Sequence, residues 1–465
     1  VPLTTPKKLL QVSMKVLVEI ETTDDQGAGT GRPADPEVEN QPIRVLGGFA
    51  GDLVEARLSR RAKRGPWYAD LLRVERASED RAAHVPCQIW RPDCACPLMP
   101  LSFEAQARRK RELVRSAFAT AGLPETEVST VVQAEAPALS YRSKIVLVAR
   151  KTREQTIFGG YARGSHYVLD LDGCVIEEVI LRHAAAWTRE NMARVEAFDE
   201  TTLSGELRYV SMRSTGTGEA LVTWIGAKEP AWAKALAERM IEEVPGVRGV
   251  SWAENLGAKN AIWDGPPRPL AGAACVDETV HGLTFRISPR SFFQVHRAQA
   301  SALRVRMLAE IEAALGTRAH GLPMWDLYCG VGVNALFLAK HGAVVTGWES
   351  VADAVNDAQE NASRNALAAS FEVADLEQPL AAKGALAVVI LNPPRKGAPR
   401  ALVESVAAAR PRCIVYIACA PGPLAAAAAW LKPLGYEVRT VAPFDLFPHT
   451  EHVETLAVFV LANPV

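Results

Sequence analysis

D-L-Y-C-G-V-G, Asp326 to Gly332, continues an apolar run that begins at Met324 and leads into a helical, alanine-rich segment. A strand that gives way to glycines just before a helix lets the backbone approach a ligand that side chains would exclude. Further short apolar runs follow at Ala343 to Gly347, Ala387 to Leu391 and Cys413 to Ala418, separated by helical stretches. Buried strands alternating with helices predict an α/β fold built on a parallel, doubly wound sheet. Ligands on such sheets bind at the carboxyl ends of the strands, which is where the polar and glycine motifs of this chain fall.

The loop alone does not name its ligand. Gly330, Gly332 and Ala335 also satisfy the dinucleotide fingerprint G-x-G-x-x-A. The second strand ends at Glu349, an acid placed to accept hydrogen bonds from both ribose hydroxyls. Asp375, in V-A-D-L after the next apolar run, is placed to meet an adenine amino group. These residues predict an adenosine-containing cofactor. A helix start with capping acids is the plainer alternative.

The reacting groups lie further along. Y-I-A-C-A-P puts Cys419 at the end of its strand, where a lone cysteine can equally serve packing. L-N-P-P-R-K-G, Leu391 to Gly397, follows the fourth strand, and its proline pair stiffens a loop able to hold a planar base. D-L-F-P-H-T-E-H-V-E, Asp445 to Glu454, has no hydrophobic periodicity and more carboxylates and imidazoles than a turn requires. It runs into the apolar strand Leu456 to Leu461, which sets Glu454 at a strand edge.

Upstream, the pattern changes. Val16, Val18 and Ile20, then Val45, Val54 and Ala56, then Leu71 and Val74 alternate as short strands around Gly47, Gly48 and Gly51, which predicts a small barrel. Phe103 to Thr120 reads as a basic helix. Lys144 to Ala149, Leu207 to Met212 and Leu221 to Ile225 read as strands of a mixed α/β middle. The expected domains are a barrel over 10–78, a central α/β domain over 79–285 and a catalytic domain over 286–465.

With 465 residues, 48% apolar and 23% charged, the chain has the composition of a soluble globular protein. A net charge of -1 argues against a protein that coats nucleic acid by overall charge. Two local runs are basic, Arg57, Arg60, Arg61, Lys63 and Arg64, then Arg108, Arg109, Lys110 and Arg111; each reads as a solvated face or as phosphate contacts. No apolar stretch of about eighteen residues is present, so no membrane span is expected. The absence of a secretory h-region makes the cytoplasm the expected location, and a monomer the expected state. Eight cysteines are too few for a disulfide framework; Cys87, Cys94 and Cys96 cluster, and Cys174 follows.

At these motifs, together with S-P-R-S-F-F-Q-V-H from Ser288 to His296, the chain resembles the RNA uracil-5-methyltransferases that form 5-methyluridine, in particular the ribosomal RNA type. The resemblance extends along nearly the whole length. It implies a class I S-adenosylmethionine-dependent methyltransferase domain, an N-terminal TRAM barrel that grips RNA, and S-adenosyl-L-methionine as methyl donor. It implies that Cys419 adds to carbon 6 of uracil and that Glu454 removes the carbon 5 proton. By the same likeness Gln294, Asp326, Tyr328, Gly330, Gly332, Glu349, Asp375 and Asn392 bind the cofactor, and Tyr141, Arg142, Lys144 and Arg395 contact RNA. The basic runs then read as phosphate contacts. The substrate expected is 23S ribosomal RNA, with transfer RNA as the competing class.

The chain departs from the family at several places. Asn392 replaces the usual Asp, Ala418 and Ala420 flank the cysteine where Ser and Asn are usual, and His296 and His449 replace the commoner Asn and Gln. Many members hold a [4Fe–4S] cluster with C-x5-C-x2-C and a distant cysteine. Cys87, Cys96 and Cys174 match that pattern, but Asp93 stands at the second position with Cys94 beside it. The resemblance implies a cluster on Cys87, Cys94, Cys96 and Cys174, with zinc or unmetallated thiols as alternatives. Other functions stay open: an amino-group methyltransferase using the Asn-Pro-Pro loop, an RNA-binding protein with a decayed site, and, last, a dehydrogenase. The first would need neither Cys419 nor Glu454, and would usually carry an aromatic residue where Arg395 stands.

Overall fold

The computed structural model describes residues 8–462 apart from positions 25, 137, 200, 257–261 and 382–384. The chain packs as two units: residues through Arg109 with Gly160–Gly173 and Phe447–Glu451, and Lys110–Gly159 with Cys174–Leu446 and His452–Val465. Residues 79–109 therefore pack with the barrel rather than with the middle of the chain. Among the described residues no helix is long and apolar enough to cross a membrane.

In the first unit, β1 (Lys15–Thr23), β2 (Ala28–Pro33), β3 (Ile43–Leu46), β4 (Leu53–Arg61) and β5 (Trp67–Arg76) close a barrel in the order β1-β2-β3-β5-β4. Alternation in β1 sends Val16, Val18 and Ile20 inward against Val54, Ala56 and Leu58 of β4. The segment after the barrel is tied back by Asp52. This buried carboxylate accepts from Arg81 at 2.8 and 2.9 Å, from the Phe49 amide at 2.7 Å and from the Ser78 amide at 2.8 Å.

Helix α1 (Phe103–Thr120) forms where the sequence predicts it, and each cation of its basic run has an acceptor within the protein. Arg109 donates to the carbonyl of Asp24 at 2.7 Å, Arg108 pairs with Asp80, and Arg111 donates to the carbonyl of Val128 at 2.9 Å. Lys110 is fully buried and pairs with Asp445 at 2.5 Å. Sequence shows four adjacent cations; it does not show that each has its own acceptor.

In the second unit, β6 (Lys144–Lys151), β7 (Thr156–Tyr161), β9 (Leu207–Ser214), β10 (Ala220–Gly226), β11 (Val247–Glu254) and β12 (Arg268–Gly272) lie in the order β12-β11-β10-β9-β6-β7. Strand β8 (Val168–Asp170) belongs to the first unit. Helices α2 (Val179–Met192) and α3 (Ala233–Glu243) cover the core of the middle sheet, and a hairpin, β13 (Val276–Val280) and β14 (Leu283–Ile287), leads on.

The C-terminal sheet is built from β15 (Pro323–Leu327), β16 (Val344–Glu349), β17 (Ala369–Val373), β18 (Val388–Leu391), β19 (Cys413–Ala418), β20 (Tyr436–Phe444) and β21 (Glu454–Leu461). It is seven-stranded in the order β17-β16-β15-β18-β19-β21-β20. Strands β15 to β19 are parallel, as the alternation of strands and helices requires, and every residue of β18 and β19 is buried. Strand β21 runs antiparallel to both β19 and β20, so the sheet is mixed at one edge and not purely parallel. Helices α4 (Arg297–Leu315), α5 (Val333–Lys340), α6 (Ala352–Arg364), α7 (Arg400–Ala408) and α8 (Pro421–Leu431) complete this part of the chain. The alanine run in α8 is the strongest of helix formers, and Pro421 starts it because the first turn needs no proline N–H.

Candidate active site

At the end of β15 the backbone enters the left-handed region at Tyr328 (φ 63), Gly330 (φ 53) and Gly332 (φ 86) before α5 begins. A Cβ on Gly332 would lie 2.9 Å from the Phe371 ring, whereas one on Gly330 would meet nothing within 4 Å. Gly332 is thus fixed by packing, and Gly330 borders open space. The Gly330 amide donates to Glu349 Oε2 at 3.2 Å. Glu349 Oε1 accepts from the Ser350 and Val351 amides at 2.7 and 3.0 Å. The carboxylate therefore locks two strand ends together.

A cavity of about 600 Å³ lies there, bordered by Gly330, Val331, Glu349 and Val351 and by Ser288, Arg290, Ser291 and Phe292. The volume is of the size that takes a nucleoside-type ligand. Open space at Gly330, a fixed carboxylate and Phe292, 69% exposed, fit an adenosyl group. Of the predicted cofactor residues, Gly330 and Glu349 border this cavity; Gln294, Asp326, Tyr328, Gly332, Asp375 and Asn392 are not among its lining residues. Asp375 accepts from the Glu377 amide at 3.0 Å and so caps its own turn. The Tyr328 hydroxyl donates to the Leu376 carbonyl at 3.1 Å, and the Asn392 amide to the Leu327 carbonyl at 3.2 Å. Asp326 is wholly buried behind the loop, and burial pushes its carboxyl up to about 7.

Ser288, Arg290, Ser291 and Phe292 were missed as lining residues, although they belong to the same motif as Gln294. The available signal was an exposed type of aromatic, Phe292, beside a turn-forming S-P-R-S.

Cys419 follows β19 directly, and Ala420 caps α8. Ala418 pairs with Thr455 in the antiparallel β19–β21 ladder, so the next position sets Cys419 opposite Glu454. Cys419 is half-buried; Glu454 is 2% exposed. Burial, then the Glu454 charge, pushes the Cys419 thiol up, and Arg395 opposes both by its charge and a hydrogen bond. Burial pushes Glu454 up to about 7.

The N-P-P-R-K-G loop brings Arg395 to this point. Gly397 (φ 81) packs so tightly that a Cβ would lie 2.6 Å from Pro423, and the Ala398 amide donates to the Tyr416 hydroxyl at 2.8 Å. Arg395 also reaches the ring nitrogens of His452 at 2.9 and 3.0 Å. Phe447–Glu451 belongs to the first unit, where the His449 amide donates to Gln106 at 2.9 Å. The result is a thiol, a guanidinium that favours its thiolate and a carboxyl titrating near neutrality. That set suits covalent addition followed by proton removal.

The Y-R-S-K segment is packed. Tyr141 is buried and stacks on His296 with ring centroids 4.8 Å apart, and Arg142 donates to the Lys144 carbonyl at 3.1 Å. Burial and Arg213 hold Lys144 down at about 8. On the barrel, Arg60 lies over the Tyr68 ring at 4.1 Å, a cation and an aromatic on one strand pair.

Cys87, Cys94 and Cys96 lie in the first unit and Cys174 in the second. Cys94 packs with Trp90, Ala162 and Leu169, its Sγ accepts from the Cys96 amide at 3.3 Å, and Cys174 hydrogen-bonds Glu177. Among the described residues no group of three or more His, Cys, Asp or Glu is arranged to hold a metal ion.

The chain is similar to known families, relatives and solved structures. The family Methyltransferase small domain matches residues 298–412, and tRNA (Uracil-5-)-methyltransferase matches residues 380–462. An uncharacterized RNA methyltransferase of Halalkalibacterium halodurans is 31% identical over 96% of this chain and 97% of its own length. Another, from Geobacter sulfurreducens, is 33% identical over 96% of this chain and 90% of its own. The crystal structure of Pyrococcus abyssi tRNA (uracil-54, C5)-methyltransferase in complex with S-adenosyl-L-homocysteine superposes with a TM-score of 0.74 at 25% identity, covering 96% of this chain and 100% of that one. The C-terminal sheet and its loop are thus a class I S-adenosylmethionine-dependent methyltransferase fold, joined to an N-terminal five-stranded barrel and a central α/β domain. The chain belongs to the RNA (uracil-5-)-methyltransferase family.

Proposed function

We propose that this enzyme methylates carbon 5 of a uridine in 23S ribosomal RNA, with Cys419 as nucleophile and Glu454 as base. The observation that carries the reading is the position of Cys419 and Glu454, each one residue beyond the Ala418–Thr455 pair, with the Arg395 charge favouring the thiolate. Carbon 5 of uracil is a poor nucleophile. The Cys419 thiol first loses its proton to solvent water, and Arg395 stabilises the thiolate, which adds to carbon 6 and makes carbon 5 enolate-like. Gly330, Glu349, Val351 and the Ser288–Phe292 turn would hold S-adenosylmethionine, which would supply the methyl group for carbon 5 and leave as S-adenosylhomocysteine. Glu454 then takes the carbon 5 proton, the 5,6 double bond re-forms, and Cys419 leaves as thiolate. The target base has to be extruded from folded RNA to reach a half-buried thiol.

Ribosomal RNA as substrate is supported by the resemblance of the barrel and cysteine group to members of that type. The Pyrococcus abyssi protein is a tRNA enzyme, which makes transfer RNA the competing class. A cluster on Cys87, Cys94, Cys96 and Cys174 has only the family likeness in its favour. Mapping 5-methyluridine in total RNA from cells with and without this protein tests the reading. Loss of one site in 23S ribosomal RNA supports it, loss of a transfer RNA site changes the substrate, and no loss in either removes the proposal.

A further inference from the structure

Strand β9 carries a guanidinium that the reaction above does not use. Arg213 is 4% exposed, and its placement is unfavourable on its own account. It stands directly opposite Lys144 in the β6–β9 register, so two cations face each other in a buried strand pair. Glu278, which draws on Arg213 by charge, is bonded to the Gly216 amide at 3.0 Å and paired with Arg297 at 3.5 Å. A buried charge persists at such a place only where its hydrogen bonds compensate for lost hydration.

Those hydrogen bonds go to one turn. One terminal nitrogen of Arg213 donates to the Ser288 carbonyl at 2.9 Å and to the Ser291 carbonyl at 2.6 Å, the two ends of the Ser288–Ser291 turn. The Ser291 amide closes that turn onto the Ser288 carbonyl at 3.2 Å, and Ser291 Oγ accepts from the Ser288 amide at 3.0 Å. The same turn presents Ser288, Arg290 and Ser291 to the cavity that Gly330 and Glu349 border from the other side. Arg213 itself does not line the cavity. Its bonds decide where the wall stands.

We propose that Arg213 is a positioning residue for the methyl donor: from the middle sheet it fixes the Ser288–Ser291 turn in the shape that closes on the adenosyl group. The proposal rests on the reading that this cavity takes S-adenosylmethionine. Removing the donor frees both ends of the turn, so affinity for the cofactor falls while the thiol and the carboxylate stay where they are.

The test is calorimetric titration of the full chain with S-adenosyl-L-homocysteine, beside RNA binding and thermal melting without ligand. Arg213→Gln should bind S-adenosyl-L-homocysteine about ten- to a hundredfold more weakly, the range for a lost charged hydrogen bond, with RNA affinity held. Arg213→Lys, which keeps the charge and a donor, should recover part of that loss. Unchanged cofactor affinity in Arg213→Gln overturns the proposal. So does a loss of RNA affinity and melting temperature that parallels the cofactor loss, because that is a structural role. Should Arg213→Gln fail to fold, Ser291→Ala loosens the same turn from its other side, and unchanged affinity there overturns the proposal equally. Failure of the unaltered chain to bind S-adenosyl-L-homocysteine removes the reading of the cavity and the proposal together, a result distinct from equal binding by both chains.

Discussion

Glu454 begins β21 one residue before Thr455, the partner of Ala418, and so faces Cys419 across the open end of the sheet. Each group is held toward its neutral form, Glu454 by burial and Cys419 by burial and then by the Glu454 charge. In the proposed mechanism the pair becomes reactive as both lose protons.

That arrangement fixes the pH dependence. As the proposed base, Glu454 has to be ionised, and its carboxyl is pushed up to about 7. The thiol also has to ionise, and it is held above its ordinary value. The single-turnover methylation rate should therefore rise as pH passes upward through about 7 and keep rising above it. A rate that is flat or falls over that range would show that neither group titrates in the rate-limiting step.

Asp326 gives a pH effect of the opposite kind, on stability. Burial raises its folded-state pKa from the ordinary aspartate range to about 7, so the folded chain binds this proton more tightly than the unfolded chain does. Its contribution is fully present below the unfolded value and is lost as pH rises through about 7. Asp326→Asn keeps the shape and cannot ionise. Its melting temperature relative to the unaltered chain should improve steadily from about pH 4 to about pH 7. Parallel curves for the two proteins would contradict the assignment.

The buried pair Lys110 and Asp445 ties α1 to the segment that follows β20. Lys110→Met leaves a carboxylate buried without its cation, which typically costs about 3–5 kcal/mol. Urea unfolding of Lys110→Met should show a loss of that size, and Lys110→Met with Asp445→Leu should recover much of it. A loss below about 1 kcal/mol, the range of exposed pairs, would mean that the pair is hydrated.

The sequence carried the central strands well because each is apolar, short and followed by a diagnostic end. Cys413–Ala418 forms as read, and Glu349 ends its strand as read. Strand β20 was not foreseen, since Tyr436–Phe444 interleaves exposed Glu437 with buried residues and takes its place from pairing with β21. The sequence singles out Cys419, Glu454 and Arg395 because the chemistry of each is distinctive, and the structure places all three in the second unit. The site was illegible where the partner lies far along the chain. Lys110 meets Asp445, Tyr141 stacks on His296, and Arg213 reaches Ser288, contacts that no local pattern announces. Phe292 and Ser291 border the cavity from a turn held by the distant Arg213, which no family likeness marks.

The central claim is that Cys419 and Glu454 divide covalent addition and proton removal between them. Glu454→Gln keeps the side-chain shape and removes the base. Cys419 can still add to carbon 6 and carbon 5 can still be methylated, but the carbon 5 proton stays and the thiolate cannot leave. Removing a general base typically lowers turnover by about a hundred- to ten-thousandfold. The measurement is denaturing gel electrophoresis of Glu454→Gln incubated with substrate RNA and S-adenosylmethionine labelled in the methyl group. A protein–RNA band that carries the label and is absent when Cys419→Ala is added to the variant is the predicted result. Free turnover by Glu454→Gln with no such band would contradict the account and move the search for the base to His449, Glu451 or His452.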